Sequence, residues 1–166
     1  MSRLQLAIEQ IVFARNYTIR LLDQTPAADW FRQPPAGVSH IAWQVGHLAF
    51  SQYRMALERI RGTRAEDADL LSEEFLRHFG RDSVPDADAS KYPEAAEIRA
   101  VFDRVHQQTL RELQGLDEGE LDKPILKPHP LVKTKLWALL WCAQHEGVHT
   151  GQIGLLRRQL GHPPLW

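Results

Sequence analysis

One stretch decides how this chain is interpreted: His145-Glu146-Gly147-Val148-His149-Thr150-Gly151-Gln152. Two histidines four positions apart lie on one face of a helix, about 6 Å apart along its axis, so they can hold one divalent metal between adjacent turns. The same letters match H-E-x-x-H, the signature of zinc proteases. Whether this motif belongs to a peptidase or to another kind of helical metal site depends on the other residues of the chain.

The helix that carries both histidines can be bounded from the sequence. Thr134 is a suitable N-cap, and Gly161 followed by two prolines ends the helix near Leu160. A first helix over residues 3–24 follows from one stripe at helical spacing: Leu4, Ile8, Ile11, Arg15, Ile19 and Leu22.

Two further helices lie between these. Ser39 is predicted to cap the second, which runs to about Arg61 and stops at Gly62. The third is predicted to begin at Pro93, because proline is tolerated at the first helical position. Its core stripe is Ile98, Val101, Phe102, Val105, Thr109 and Leu113.

The connection over residues 62–92 is long and acidic. Its apolar residues predict a short packed helix within it: Leu70, Leu71, Phe75, Leu76 and Phe79. No strand-like alternation occurs, so the sequence predicts an all-α fold, a four-helix bundle with a long crossover between helices 2 and 3. A length of 166 residues suits a single domain over 1–166.

Composition excludes several functional classes. The 20 Lys and Arg residues balance 21 Asp and Glu, which argues against nucleic acid or an acidic membrane as a partner. No apolar run reaches the roughly 20 residues of a membrane span, and no signal-peptide pattern opens the chain. With one cysteine, Cys142, the chain has no internal disulfide. We therefore expect a cytoplasmic protein.

A helical wheel places His145, His149 and Gln152 on a stripe with Ala138, Trp141 and Leu156. A buried imidazole without a partner is costly, so a site and a hydrogen-bonded core are both open interpretations. Cys142 lies one turn before His145 and could face such a site, although a small buried thiol is its commoner role.

The second helix offers His47 as a third ligand. On the wheel it belongs to a polar stripe that is most simply interpreted as a solvent face: His40, Gln44, His47, Ser51, Arg54 and Glu58. The alternative is an internal cleft, because most of the remaining circumference is apolar. His78 and His106 are interpreted as surface groups, and His40 as a solvated helix start.

The peptidase interpretation lacks support outside the motif. An extended zinc-protease pattern needs further ligands, but the corresponding positions hold Gln152 and Leu155, and no acidic residue follows Glu146. On the wheel Glu146 falls near Thr150 and Arg157, which suits an exposed position. We therefore expect no peptidase activity.

Two stretches together resemble the DinB-like superfamily, of the YfiT and bacillithiol-transferase type. They are Trp43-Gln44-Val45-Gly46-His47-Leu48-Ala49 and His145-Glu146-Gly147-Val148-His149-Thr150-Gly151-Gln152-Ile153. The resemblance extends over essentially the whole chain, including the closing Leu155–Gly161 segment. It implies that His47, His145 and His149 bind a divalent metal, which in this family is zinc, nickel, manganese or iron.

The resemblance also implies a function. Three imidazoles leave coordination positions open, as in a catalytic site, and characterised relatives transfer a low-molecular-weight thiol to a small electrophile. We therefore expect a metal-dependent thiol S-transferase, with Glu146 as an acid/base. Neighbours predicted to line the pocket or orient the ligands are Trp43, Gln44, Phe50, Trp141 and Gln152. The family often forms dimers. The alternatives are a non-enzymatic stress-response binding module and a metal-dependent hydrolase.

Overall fold

The computed structural model describes residues 1–35 and 37–165. Within them five α-helices follow one another: α1 (Arg3–Asp23), α2 (Ile41–Gln52), α3 (Glu73–Phe79), α4 (Ala95–Gln114) and α5 (Lys135–Gln159). Helix α2 continues through a π-helical segment, Tyr53–Glu58, and a last turn, Arg59–Arg61. The described residues form no strand, only an isolated bridge between Pro124 and Thr134. The all-α prediction is confirmed.

Helix α1 packs along α5, and α2 packs along α4 while also contacting α3 and α5. One apolar cluster joins α2, α4 and the end of α5, with Val45, Phe102 and Ile153 fully buried. A second cluster joins α1, the end of α2 and the start of α5, around Ile11 and Leu139. Helix α2 is therefore buried on most sides, which determines where its polar residues can point.

The long connection over residues 62–94 contains the predicted packed helix, α3. Its residues Phe75 and Phe79 are buried against α2. A Cβ on Gly46 would lie 2.4 Å from the Phe79 ring, so the glycine lets α3 approach α2 this closely. As a result, this crossing covers part of the polar stripe of α2.

The predicted cap of the last helix is confirmed, because Thr134 Oγ1 accepts the amide N–H of Trp137. The cap predicted for α2 is wrong: His40 Nδ1 accepts the Trp43 amide, and Ser39 Oγ accepts the side-chain amide of Gln44 instead. Helix α4 begins at Ala95, two residues after the predicted Pro93, because the backbone of Glu94 is still extended.

None of the helices in the described ranges is both long enough and apolar enough to cross a bilayer.

Candidate metal centre

The structure brings together the three histidines that the sequence singled out. One ring nitrogen each from His47, His145 and His149 lies within 4.8 Å of the other two. Two donors on one tetrahedral zinc are roughly 3.3 Å apart, so small side-chain rotations would bring all three nitrogens to one ion. Helix α2 supplies one imidazole, and adjacent turns of α5 supply the other two.

Hydrogen bonds fix the orientation of two of the rings. His47 donates from Nδ1 to the Phe79 carbonyl oxygen, 2.9 Å away, and His149 donates from Nδ1 to Gln44 Oε1 at 2.5 Å. Since a carbonyl oxygen accepts only, each ring carries its proton on Nδ1 and has an unprotonated Nε2 that can bind a metal. In His47 this Nε2 accepts from Ser51 Oγ at 3.3 Å. Outer partners of this kind set the tautomer of metal-binding histidines.

All three imidazoles are held neutral. Burial lowers the pKa of His145 to about 4 and that of His149 to about 3, and repulsion between the rings adds to both shifts. Burial also lowers the pKa of His47, against a weaker opposite effect of its hydrogen bond to Phe79. A metal ligand must be the unprotonated imidazole, so the cluster is ready to bind a cation at neutral pH.

The predicted neighbours differ in what they contact. Trp43 stacks on His47 with ring centroids 4.7 Å apart, and Phe50 and Trp141 lie 5.8 and 6.3 Å from His47 and His145 respectively. Gln44 is 3% exposed and orients His149 as described. Gln152 is exposed, and no hydrogen bond within the described residues joins it to an imidazole.

Two cavities adjoin the cluster. The first, of about 250 Å³, is lined by His47 and His145 together with Phe50 and Trp141. The second, of about 590 Å³, is lined by His149 with Trp43, Gln44 and Gln152. The cluster is therefore accessible to small molecules from both sides.

Glu146 does not lie where the sequence analysis expected. The prediction of an exposed side chain is wrong, because Glu146 is 2% exposed. Its carboxylate faces Arg15, which is 1% exposed and donates from Nε at 2.8 Å, and Thr18 Oγ1 donates to it at 3.0 Å. Arg15 contacts both carboxylate oxygens. We therefore assign Glu146 no acid/base role in the function proposed below.

Other sequence-based interpretations are corrected by packing. The α2 stripe is not a solvent face, since His40, Gln44 and Glu58 are all buried. His106 is half-buried, with Nδ1 3.1 Å from Gln52 Nε2. Cys142 is buried, and burial raises the pKa of its thiol to about 12, which makes it a poor nucleophile.

His106 makes the stability of the fold dependent on pH. Burial, together with the charge of Arg15, lowers its pKa to about 3. Between pH 6.5 and 3 the unfolded chain therefore binds a proton that the folded chain does not. The free energy of unfolding decreases as the pH is lowered through this range. At pH 5 His106 alone lowers the free energy of unfolding by about 2 kcal/mol.

Replacing His106 by glutamine should make the fold less sensitive to acid. We expect the urea midpoints at pH 7 and pH 5 to differ less in metal-free His106→Gln than in the metal-free wild type. Equal differences in the two proteins would contradict the assignment to His106.

This chain resembles known proteins in sequence and in fold. The model of the DinB superfamily matches residues 10–153. The chain belongs to the DinB superfamily. A conserved protein from Enterococcus faecalis, known from its crystal structure, superposes with a TM-score of 0.74 at 18% identity, over 96% of this chain and 97% of the other. At this identity the superposition shows a shared fold. No curated protein matches the sequence.

Several charged groups beside the cluster are not among the residues predicted from the sequence. Arg54, Arg59 and Arg81 line the first cavity, and His129 lies beside them. Arg54 belongs to the α2 polar stripe, which was a usable signal. Arg59 reaches the cavity from the last turn of α2, after the π-helical segment, which helical spacing does not reveal. For Arg81 the sequence offers no signal, because the crossing after α2 brings it to the cavity. Tyr53, next to Arg54 in the chain, lines neither cavity and donates its hydroxyl to Asp67 at 3.0 Å.

Proposed function

We propose that this member of the DinB superfamily is a metal-dependent thiol S-transferase that acts on a small electrophile. His47, His145 and His149 would hold the divalent metal. The proposal is carried by one observation: three neutral imidazoles converge between two open cavities. A structural metal site is usually closed by four protein ligands, whereas three ligands leave room for a substrate.

The residues fit such a metal. The bonds to Phe79 and Gln44 leave Nε2 of His47 and of His149 unprotonated. The Ser51 hydroxyl, 3.3 Å from His47 Nε2, would turn away when a metal binds that atom. Zinc, nickel, manganese and iron all accept imidazole, so the ligand set does not select among them. A divalent metal held here would favour the thiolate form of a bound thiol, which is the nucleophilic form.

The reaction joins the sulfur to a carbon of the electrophile. The sulfur–carbon bond forms while the bond between that carbon and its leaving group breaks. The leaving group departs with the electron pair, and the thiol proton goes to solvent. The chain contributes the open cavities and the aromatic walls of Trp43, Phe50 and Trp141, which position the two reactants beside the imidazoles.

The test compares the chelated protein with the same protein reloaded with one equivalent of Zn²⁺, Ni²⁺, Mn²⁺ or Fe²⁺. Glutathione or cysteine serves as the thiol and 1-chloro-2,4-dinitrobenzene as the electrophile. We expect at least one metal to raise thioether formation at least tenfold above the chelated protein. Equal rates with and without every metal would overturn the proposal and leave a binding module.

A parallel assay separates transfer from hydrolysis. 4-Nitrophenyl acetate is supplied to the most active metal form with and without the thiol. A transferase should need the thiol for turnover, whereas a hydrolase should release nitrophenol at the same rate when the thiol is omitted. The second result would contradict the proposal.

A further inference from the structure

The cavity beside His47 and His145 has an unusual charge distribution. Three arginines line it, namely Arg54, Arg59 and Arg81. Among the described residues, Glu58 is the one acidic group that forms an ion pair with any of them: it pairs with Arg54 and also accepts from Lys127 Nζ at 2.6 Å. Glu58 is thus shared by Arg54 and Lys127, and its charge also reaches Arg59. Among the described residues no carboxylate forms an ion pair with Arg59 or Arg81.

Arg59 shows the imbalance most clearly. It is 6% exposed, and its two Nη atoms donate to the backbone carbonyls of Arg54 and Pro128. Its Nε–H is buried and has no hydrogen-bond partner among the described residues. A buried donor that lacks a partner costs free energy. At this guanidinium the attraction of Glu58 is smaller than the repulsion from Arg54, and Arg81 adds to that repulsion. An anion bound in the cavity could supply the acceptor and the negative charge that the Arg59 guanidinium lacks.

Arg81 follows α3 and is exposed, and within the described ranges the structure gives it neither an ion pair nor a hydrogen bond. The positive charge of the arginines also affects His129, which lines the same cavity. Burial lowers the pKa of His129, and Arg59, Arg81 and Arg54 lower it further. Burial and the charge of Arg54 also lower the pKa of Arg59, against a smaller opposite effect of Glu58.

The backbone at this position is also irregular. Helix α2 widens into the π-helical segment Tyr53–Glu58, which begins six residues after His47. Such segments often occur at functional sites, where they change the direction of side chains. Here the segment contains Arg54 and directly precedes Arg59, so it lies beneath the cationic side of the cavity.

We infer that this cavity is the subsite for a carboxylate group on the small molecule that binds at the histidine cluster. The planar guanidinium groups suit paired carboxylate oxygens. The walls formed by Phe50, Trp141 and Leu131 suit a short apolar body between that carboxylate and the reacting end. This inference rests on the proposed function, because it places the reacting end of the same molecule at the metal.

The test uses two thiols of equal length on the Co²⁺-loaded protein: 3-mercaptopropionate and its neutral counterpart 3-mercapto-1-propanol. Binding is followed by the sulfur-to-cobalt charge-transfer absorption. We expect the carboxylate thiol to bind at least tenfold more tightly, because charge-assisted hydrogen bonds are the strong ones. In Arg81→Gln and Arg59→Gln this preference should fall to about threefold or less.

Arg77→Gln is the matched control, because Arg77 is an exposed arginine of α3 that does not line the cavity. It should keep the full preference. The charge of the metal is the same in every variant. A difference in carboxylate preference between Arg81→Gln and Arg77→Gln is therefore due to the arginine in the cavity. Arg81 is exposed, and its replacement leaves the fold intact.

The outcomes separate this inference from the proposed function. If both thiols give the absorption band with equal affinity, or if Arg81→Gln keeps the preference, the subsite is refuted and thiol binding stands. If neither thiol gives a band, the proposed function fails. The subsite is then decided by calorimetry with 3-phenylpropionate and 3-phenylpropionamide: a carboxylate preference lost in Arg81→Gln supports it, and no preference overturns it.

Discussion

Replacing His145 or His149 by alanine is expected to reduce bound metal from about one ion per chain to a trace. Loss of an outer partner of a ligand already costs roughly 10- to 100-fold in metal affinity, so loss of a ligand itself should cost more than 100-fold. The measurement is metal content by mass spectrometry, on untagged protein purified without chelators and dialysed against a metal buffer. His47→Ala should behave in the same way.

The matched control is His78→Ala, which removes a half-buried histidine of α3 that is not part of the cluster. It should retain the metal of the wild type. A second readout is thermal unfolding: an ion present at 100 times its dissociation constant stabilises the folded state by about 2.7 kcal/mol. Added metal should raise the midpoint of the wild type and the control, and leave that of the three cluster variants unchanged. Equal metal in all five proteins would exclude the cluster as the site.

Much of the fold follows from local pattern. Residues 3–24 were predicted as the first helix, and the structure has Arg3–Asp23. Thr134 was predicted as the cap of the last helix and serves as one. In both cases the deciding interactions lie within one or two turns, so helical periodicity and capping chemistry contain the information.

The errors share a different cause. The polar stripe of α2 was interpreted as solvent-facing because a helical wheel shows which residues share a face but not what covers that face. In the structure the crossing after α2 covers it: the Phe79 carbonyl accepts from His47, and Ser83 Oγ accepts from the Trp43 indole at 3.0 Å. Contacts between residues more than 30 positions apart are invisible to a local pattern.

Arg15 and Glu146 illustrate the same limit at longer range. Arg15 lies in the apolar stripe of the first helix, and a charged side chain that is buried there needs a partner. The sequence could not identify that partner, which lies 131 residues further along the chain. The histidine cluster could be predicted only because a resemblance to a family supplied the long-range pairing of His47 with the last helix.

The second large effect is expected from breaking this ion pair. Arg15→Met leaves the Glu146 carboxylate buried without a counter-charge, and also removes the donors to Gln52 Oε1 and the Phe102 carbonyl. Removing one partner of a buried pair typically costs about 3–5 kcal/mol. We expect a loss of that size in the free energy of unfolding from urea titrations. Glu146→Leu, which leaves Arg15 unpaired, should cost about as much.

The double variant Arg15→Met/Glu146→Leu decides what the pair does. Two apolar side chains of similar volume remove both charges together, so the double variant should be more stable than either single variant. Because Glu146 adjoins His145 in α5, the single variants should also bind metal more weakly, and the double variant should regain most of that affinity. If the double variant also keeps its thiol-transfer rate, the carboxylate acts by fixing α5 against α1. A double variant that is stable and binds metal but has no activity would instead indicate that the Glu146 carboxylate takes part in the reaction.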